Sequence, residues 1–213
     1  MELPIFPLNT VLFPGARLPL HIFEERYKLI INTCIDEKRP FGVCLINESR
    51  EAGTAAQPFK TGTTAHIREV QRLEDGRLNI VCIGGERFVI KSIAQETPYV
   101  IADVDGLRQE RIEAKDASSA AAALFAEYVR LNLAMTNQWA RTMEMPSDAG
   151  TLADFIGARL AVDVLTKQRL LEQISPELRL RGEIEVLSRA VHLLGTQVQV
   201  ARAARWLGFG VMN

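Results

Sequence analysis

The feature that most constrains this chain is a change of pattern near Gly106. Before it, apolar residues come in short runs: Leu3–Phe6, Val11–Phe13 and Leu18–Ile22 are cut by Pro4, Pro7, Pro14, Gly15 and Pro19. Proline cannot donate to a ladder, so these strands must be short, bent and close to edges or bulges. Phe41–Ile46 is a continuous apolar run of strand length, and the polar stretch Glu48–Thr61, with Gly53 and Pro58, reads as a loop. Thr64–Leu73 faces Arg77–Ile83 across Asp75-Gly76, a dipeptide suited to a hairpin turn with positive φ. Gly84-Gly85 reads as a second turn leading into Arg87–Ile93, and Tyr99–Val104 closes the series. About six to eight strands at this spacing predict a barrel or pseudo-barrel. One helix interrupts them, Glu24–Glu37, with Tyr27, Ile31, Cys34 and Ile35 at helical spacing and acids at its start.

After Gly106 the strand signal ends. Leu107–Ser119 reads as a linker running into a helix, on which Leu124, Tyr128, Leu131 and Met135 step along one face. Ser147–Thr151 reads as a loop, with Thr151 and Asp154 as a weak capping box. Ser175-Pro176-Glu177 is a stronger start signal: a capping serine, proline at the first helical position and an acid behind it. The helix it opens carries Leu180, Ile184, Leu187, Val191, Leu194, Val198 and Ala201 in four-three alternation. Ser188, Ala190, Gly195 and Gln197 flank that stripe where a self-paired coiled coil would place opposite charges. The stripe therefore predicts the spine of an intramolecular bundle, and association of copies is not expected through residues 180–198. The organisation predicted is α+β, with a β-barrel domain at 1–113 and a helical bundle at 114–213.

Composition narrows the function. The formal charge is −1, from 25 basic and 26 acidic side chains, and residues 1–113 hold 14 basic against 16 acidic. A protein that lives on phosphate backbones needs a basic excess, so nucleic acid is not an expected partner. No run of roughly 18 apolar residues crosses a bilayer, and the N-terminus lacks a basic n-region. Cys34, Cys44 and Cys82 are widely spaced among apolar neighbours and read as buried free thiols, which points to the cytoplasm.

Catalytic patterns are missing. Lys60-Thr61 follows Phe59, and Thr54 stands where the first glycine of a P-loop belongs. The glycines never fall in dinucleotide spacing, and no G-x-S-x-G elbow occurs. His21, His66 and His192 are isolated, so no zinc site is expected, and neither is a cofactor. Glu24 and Glu25 point in different directions on a helix and suit its start better than paired acid chemistry. What remains is apolar: Phe13, Pro14, Leu18, Phe23 and Tyr27 lie in or beside loops and short strands. They either pack the barrel against the helix or line a groove for extended peptide.

Several blocks resemble the N-terminal substrate-binding domain of Lon proteases: LPIFPL at 3–8, VLFPGARLPLHIFEERY at 11–27, FGVCLI at 41–46, DGRLNIVCIGGERFVI at 75–90 and PYVIADV at 98–104. The likeness continues through LADFIGARL at 152–160 and KQRLLEQISPELRL at 167–180, and is weaker at 47–61, 106–150 and after 195. The resemblance implies a PUA-like pseudo-barrel with an inserted helix, followed by a helical bundle with a long last helix. It further implies recognition of unfolded or specific polypeptides. ATPase and Ser–Lys peptidase domains follow this region in the full proteases, and neither motif occurs before Asn213. Binding without cutting is the function expected. RNA binding is the alternative, because PUA-like barrels are often RNA modules.

Overall fold

The computed structural model describes residues 1–47, 57–136, 138 and 143–209. Among the described residues six strands come first: β1 (Glu2–Leu8), β2 (Arg17–Ile22), β3 (Phe41–Asn47), β4 (Gln57–Arg72), β5 (Leu78–Gln95) and β6 (Val100–Gly106), with α1 (Glu25–Asp36) between β2 and β3. Four helices follow: α2 (Lys115–Met135), α3 (Ala149–Arg159), α4 (Val164–Glu172) and α5 (Pro176–Phe209). The fold is α+β with a helical C-terminal part, as the sequence predicts.

The strands run in the order β2-β5-β4-β3-β1-β6, and β6 pairs back onto β5. Strands β5, β4, β3, β1 and β6 therefore close a ring, with β1 parallel to β3 and the other neighbours antiparallel. Strand β2 stands outside the ring, paired with the first part of β5 from Arg17↔Ile83 to Ile22↔Leu78.

One glycine lets the loop that leads into β2 lie against β5. Gly84-Gly85 does not turn the chain; both lie inside the 18-residue β5. A Cβ on Gly84 would stand 2.2 Å from the Phe13 carbonyl oxygen, so only glycine lets the 13–16 loop reach the strand. That loop is held there by Gly15 N–H donating to Gly84 O at 2.8 Å and Gly84 N–H donating to Ala16 O at 2.9 Å. Val11–Phe13, expected as a strand, belongs to this loop instead. The hairpin expected at Asp75-Gly76 forms, with Gly76 at φ +79 and Leu73 N–H donating to Arg77 O at 2.9 Å. Residues 57–61, expected to belong to a loop, open β4, while the rest of that stretch, 48–56, lies outside the described residues.

Two apolar clusters fill this part of the chain. Ile22, Ile30, Ile31, Cys34, Phe41, Val43, Leu78, Ile80 and Cys82 pack with Phe6 and Leu12, joining α1 to the strands. Leu3, Ile5, Cys44, Phe88, Ile90, Ala102 and Val104 form the second. The three cysteines are free and buried, and burial pushes the Cys34 and Cys82 thiols up to about 11 and about 12.

The chain divides into two compact units: Met1–Glu110 with Gly157–Ile174, and Arg111–Ile156 with Ser175–Asn213. The boundary thus falls inside α3, and α4 groups with the strands. In the first unit Gln168 donates to Thr61 O at 3.0 Å, and Arg87 Nε donates to Leu171 O at 2.9 Å, so two buried polar side chains tie α4 to β4 and β5. In the second unit α2 packs along α5, burying Ala121, Phe125, Tyr128 and Leu131 of α2 and Leu180, Leu187 and Val198 of α5. Tyr128 and Leu131 lie on the face expected of them, whereas Met135 is exposed. The start of α3 is capped by Asp148, whose Oδ1 accepts from Thr151 N–H and Thr151 Oγ1 at 2.8 Å each. The cap is thus Asp148 and not Thr151, because the helix starts one turn earlier than the Thr151–Asp154 pattern predicts. Asp154 is buried instead, with Oδ1 3.6 Å from a nitrogen of Arg179.

Candidate functional site

The first unit carries a cleft of about 270 Å³ where the end of β2 turns into α1. Its geometry starts from local sequence. Leu20 and Ile22 point to the core side of β2 and His21 to the solvent side, as strand alternation requires. Phe23 and Glu24 then form the entry to α1, which places Tyr27 in the first turn of the helix. Phe6, Leu8 and Asn9 from β1 and its exit, with Ile46 of β3, complete the lining.

The apolar floor has an ordered aromatic centre. Tyr27 stacks on Phe6 with centroids 4.0 Å apart and planes 15° from parallel. The Arg26 guanidinium covers the Tyr27 ring, 4.5 Å from its centroid. Arg26 also pairs with Glu24 at 2.8 Å, so the rim's acid and base neutralise each other. Burial holds the Tyr27 hydroxyl above its ordinary pKa, opposed by the Arg26 charge, and the phenol stays neutral. Phe23 is 59% exposed and stands 6.0 Å from the His21 ring, centroid to centroid. His21 Nδ1 is within 2.7 Å of Asn79 Oδ1. The described residues that line the cleft beside that histidine include no serine or cysteine. Among the described residues no group of three His, Cys, Asp or Glu side chains could hold a metal ion. The arrangement can take up an uncharged apolar side chain.

The five residues singled out from sequence separate here. Phe23 and Tyr27 meet in the cleft. Phe13 has 0% exposure and no access to a ligand, Pro14 is half-buried in the loop after it, and Leu18 is partly buried against the core cluster. Phe6, Leu8, Leu20 and Ile46 give no signal in sequence because their runs look like ordinary strand interiors, and only tertiary structure shows them at a cleft.

A ring of five strands with a sixth on its flank, an inserted helix and a helical C-terminal part defines an α+β barrel class. The model of the ATP-dependent protease La (LON) substrate-binding domain matches residues 2–189. This chain belongs to that family. It is 27% identical to Lon protease 2 of Myxococcus xanthus over 95% of its length, and 30% identical to Lon protease 2 of Herpetosiphon aurantiacus over 91%. It spans about a quarter of the length of each, 25% and 24%. Among solved structures it resembles a Lon N-terminal domain protein from Xanthomonas campestris, with a TM-score of 0.64 and 24% identity, over 85% of this chain and 95% of that one. It also resembles the N-terminal domain of Mycobacterium avium complex Lon protease, with a TM-score of 0.63 and 22% identity, over 88% and 98%. Among the described residues no helix is long and apolar enough to cross a membrane.

Proposed function

We propose that this chain binds non-native polypeptide segments through their apolar side chains, at the cleft formed by Phe6, Leu20, Phe23 and Tyr27, and does not cut them. One observation carries the assignment of the site: a 59% exposed phenylalanine borders an aromatic stack in a concave, charge-neutral setting. An exposed apolar surface of this kind is stable in water but gains when a ligand covers it, by about 25 cal/mol per Å² of apolar area. Membership in a family described as a protease substrate-binding domain supports a polypeptide as that ligand. Binding without cleavage is supported by a match confined to that domain. The paired Glu24 and Arg26 offer a phosphate backbone no net attraction, which weighs against RNA.

Reduced, carboxymethylated α-lactalbumin, permanently unfolded, is the test ligand. It is expected to bind, and native α-lactalbumin is not. Casein incubated with the chain and ATP is expected to remain intact. Equal binding of native and unfolded α-lactalbumin would refute the assignment.

A further inference from the structure

Among the described residues strand β2 pairs on one side, with β5, and stands at the end of the strand order. The phase of that pairing is fixed by Gly84 N–H donating to Ala16 O at 2.9 Å. In an antiparallel ladder, alternate residues turn both backbone groups to the same neighbour. The register Leu18↔Cys82, Leu20↔Ile80 and Ile22↔Leu78 continues the Ala16–Gly84 phase, so these residues face β5. Arg17, Pro19 and His21 therefore turn their backbone groups the other way. Pro19, which has no N–H, sits where the β2–β5 ladder asks for no donor. The outward edge thus presents carbonyls at Arg17, Pro19 and His21, and N–H groups at Arg17 and His21. Leu20, His21 and Ile22 also line the cleft, so this edge runs into it.

We infer that an extended polypeptide segment adds to the outer edge of β2, pairing with the backbone N–H and carbonyl of His21, while its neighbouring apolar side chain enters the cleft above Phe6 and Tyr27. This rests on the cleft being a polypeptide site and specifies how the polypeptide is held. The chemistry of the two features selects the occupant. A strand edge is satisfied by another backbone in extended form, independently of that backbone's side chains. The Glu24–Arg26 pair leaves the cleft without net charge, so the entering side chain is uncharged. Pro19 limits the addition: with no N–H at its centre the edge offers full pairing only at Arg17 and His21, and of these two only His21 lines the cleft. The same gap blunts β2-to-β2 joining of two copies, a usual hazard of open edges.

The test uses the full chain and a fluorescein-labelled decapeptide of alternating valine and threonine around one central phenylalanine, followed by fluorescence anisotropy. His21→Pro removes the outward N–H at a position equivalent to that of Pro19, and His21→Ala removes the side chain alone. His21→Pro is expected to bind about five-fold more weakly than His21→Ala, the loss of one backbone hydrogen bond. Single N-methyl groups moved along the peptide are expected to weaken binding at every second position. If His21→Pro does not fold by circular dichroism, the N-methyl series decides alone. Equal affinities of the two folded variants, or N-methyl groups without effect at any position, would overturn strand addition. The cleft assignment would survive that result if Phe23→Ser still weakens the same peptide. A wild-type chain that fails to bind the unmethylated peptide would overturn both.

Discussion

The Tyr27 ring lies parallel on the Phe6 ring at 4.0 Å, joining the first turn of α1 to the end of β1 beneath the cleft. The pair stabilises the fold as well as forming a floor. Such stacks contribute about 0.5–1.5 kcal/mol beyond their buried area. Tyr27→Ala is expected to lose that and the area, whereas Tyr27→Phe keeps the ring in place. In urea denaturation, Tyr27→Phe should retain more than half of the stability that Tyr27→Ala loses. Equal losses would mean that the hydroxyl, and not the stack, holds the helix.

Phe13 offers a contrast within the same loop-rich segment. It is completely buried where its carbonyl meets Gly84. Phe13→Ala should therefore cost about 3–5 kcal/mol, the range for emptying a core phenylalanine site. A melting temperature unchanged from wild type would place Phe13 at the surface.

How far the sequence could be read follows from such cases. Hydrophobic period and turn chemistry recovered β3, β6, the Asp75-Gly76 hairpin, α1 and the start of α5. Local pattern does not record what a residue meets across the fold. Gly84 looks like a turn former because its purpose, admitting the Phe13 carbonyl, lies far away along the chain. Phe13 and Phe23 both flank prolines or acids in similar company, yet one is core and the other solvent-facing. Within the cleft, Phe23 was legible because it sits in the short irregular stretch between β2 and α1, and Tyr27 because it follows in the first turn of that helix. Phe6 and Leu20 were not, since a strand residue at a barrel's flank has the same alternation as one inside it.

On α5, along which α2 packs, Leu180, Leu187 and Val198 of the stripe are buried, whereas Ile184, Val191 and Leu194 are half-buried. Leu187→Ala is expected to cost about 2–5 kcal/mol. If the stripe packs within the chain, the melting temperature of the wild type should not change with protein concentration. A melting point that climbs with concentration, together with a dimer mass lost in Leu187→Ala, would show an intermolecular seam.

Asp148 links stability to pH. The Thr151 backbone N–H, and then its hydroxyl, hold the Asp148 carboxyl below its ordinary pKa in the folded chain. A carboxylate depressed on folding contributes stability above the unfolded pKa of about 3.9 and loses it as pH falls through the folded value. Asp148→Ala should cost about 0.5–2 kcal/mol at neutral pH, as removal of an N-cap does. The gap between wild type and variant should close below about pH 4. Urea titrations at pH 7 and pH 3 check this, and a gap that is the same at both would exclude the cap.

Whether Phe23 and the cleft beside it hold unfolded polypeptide is decided by one titration. Reduced, carboxymethylated α-lactalbumin carrying a fluorophore is titrated with wild type and with Phe23→Ser, each first shown to melt at the same temperature. Phe23 is already 59% exposed, so its loss should leave the fold intact. Removing an aromatic that is covered only in the complex should weaken binding about tenfold, the equivalent of some 1.4 kcal/mol. Affinities that agree within error, from two equally stable proteins, would contradict polypeptide capture at Phe23.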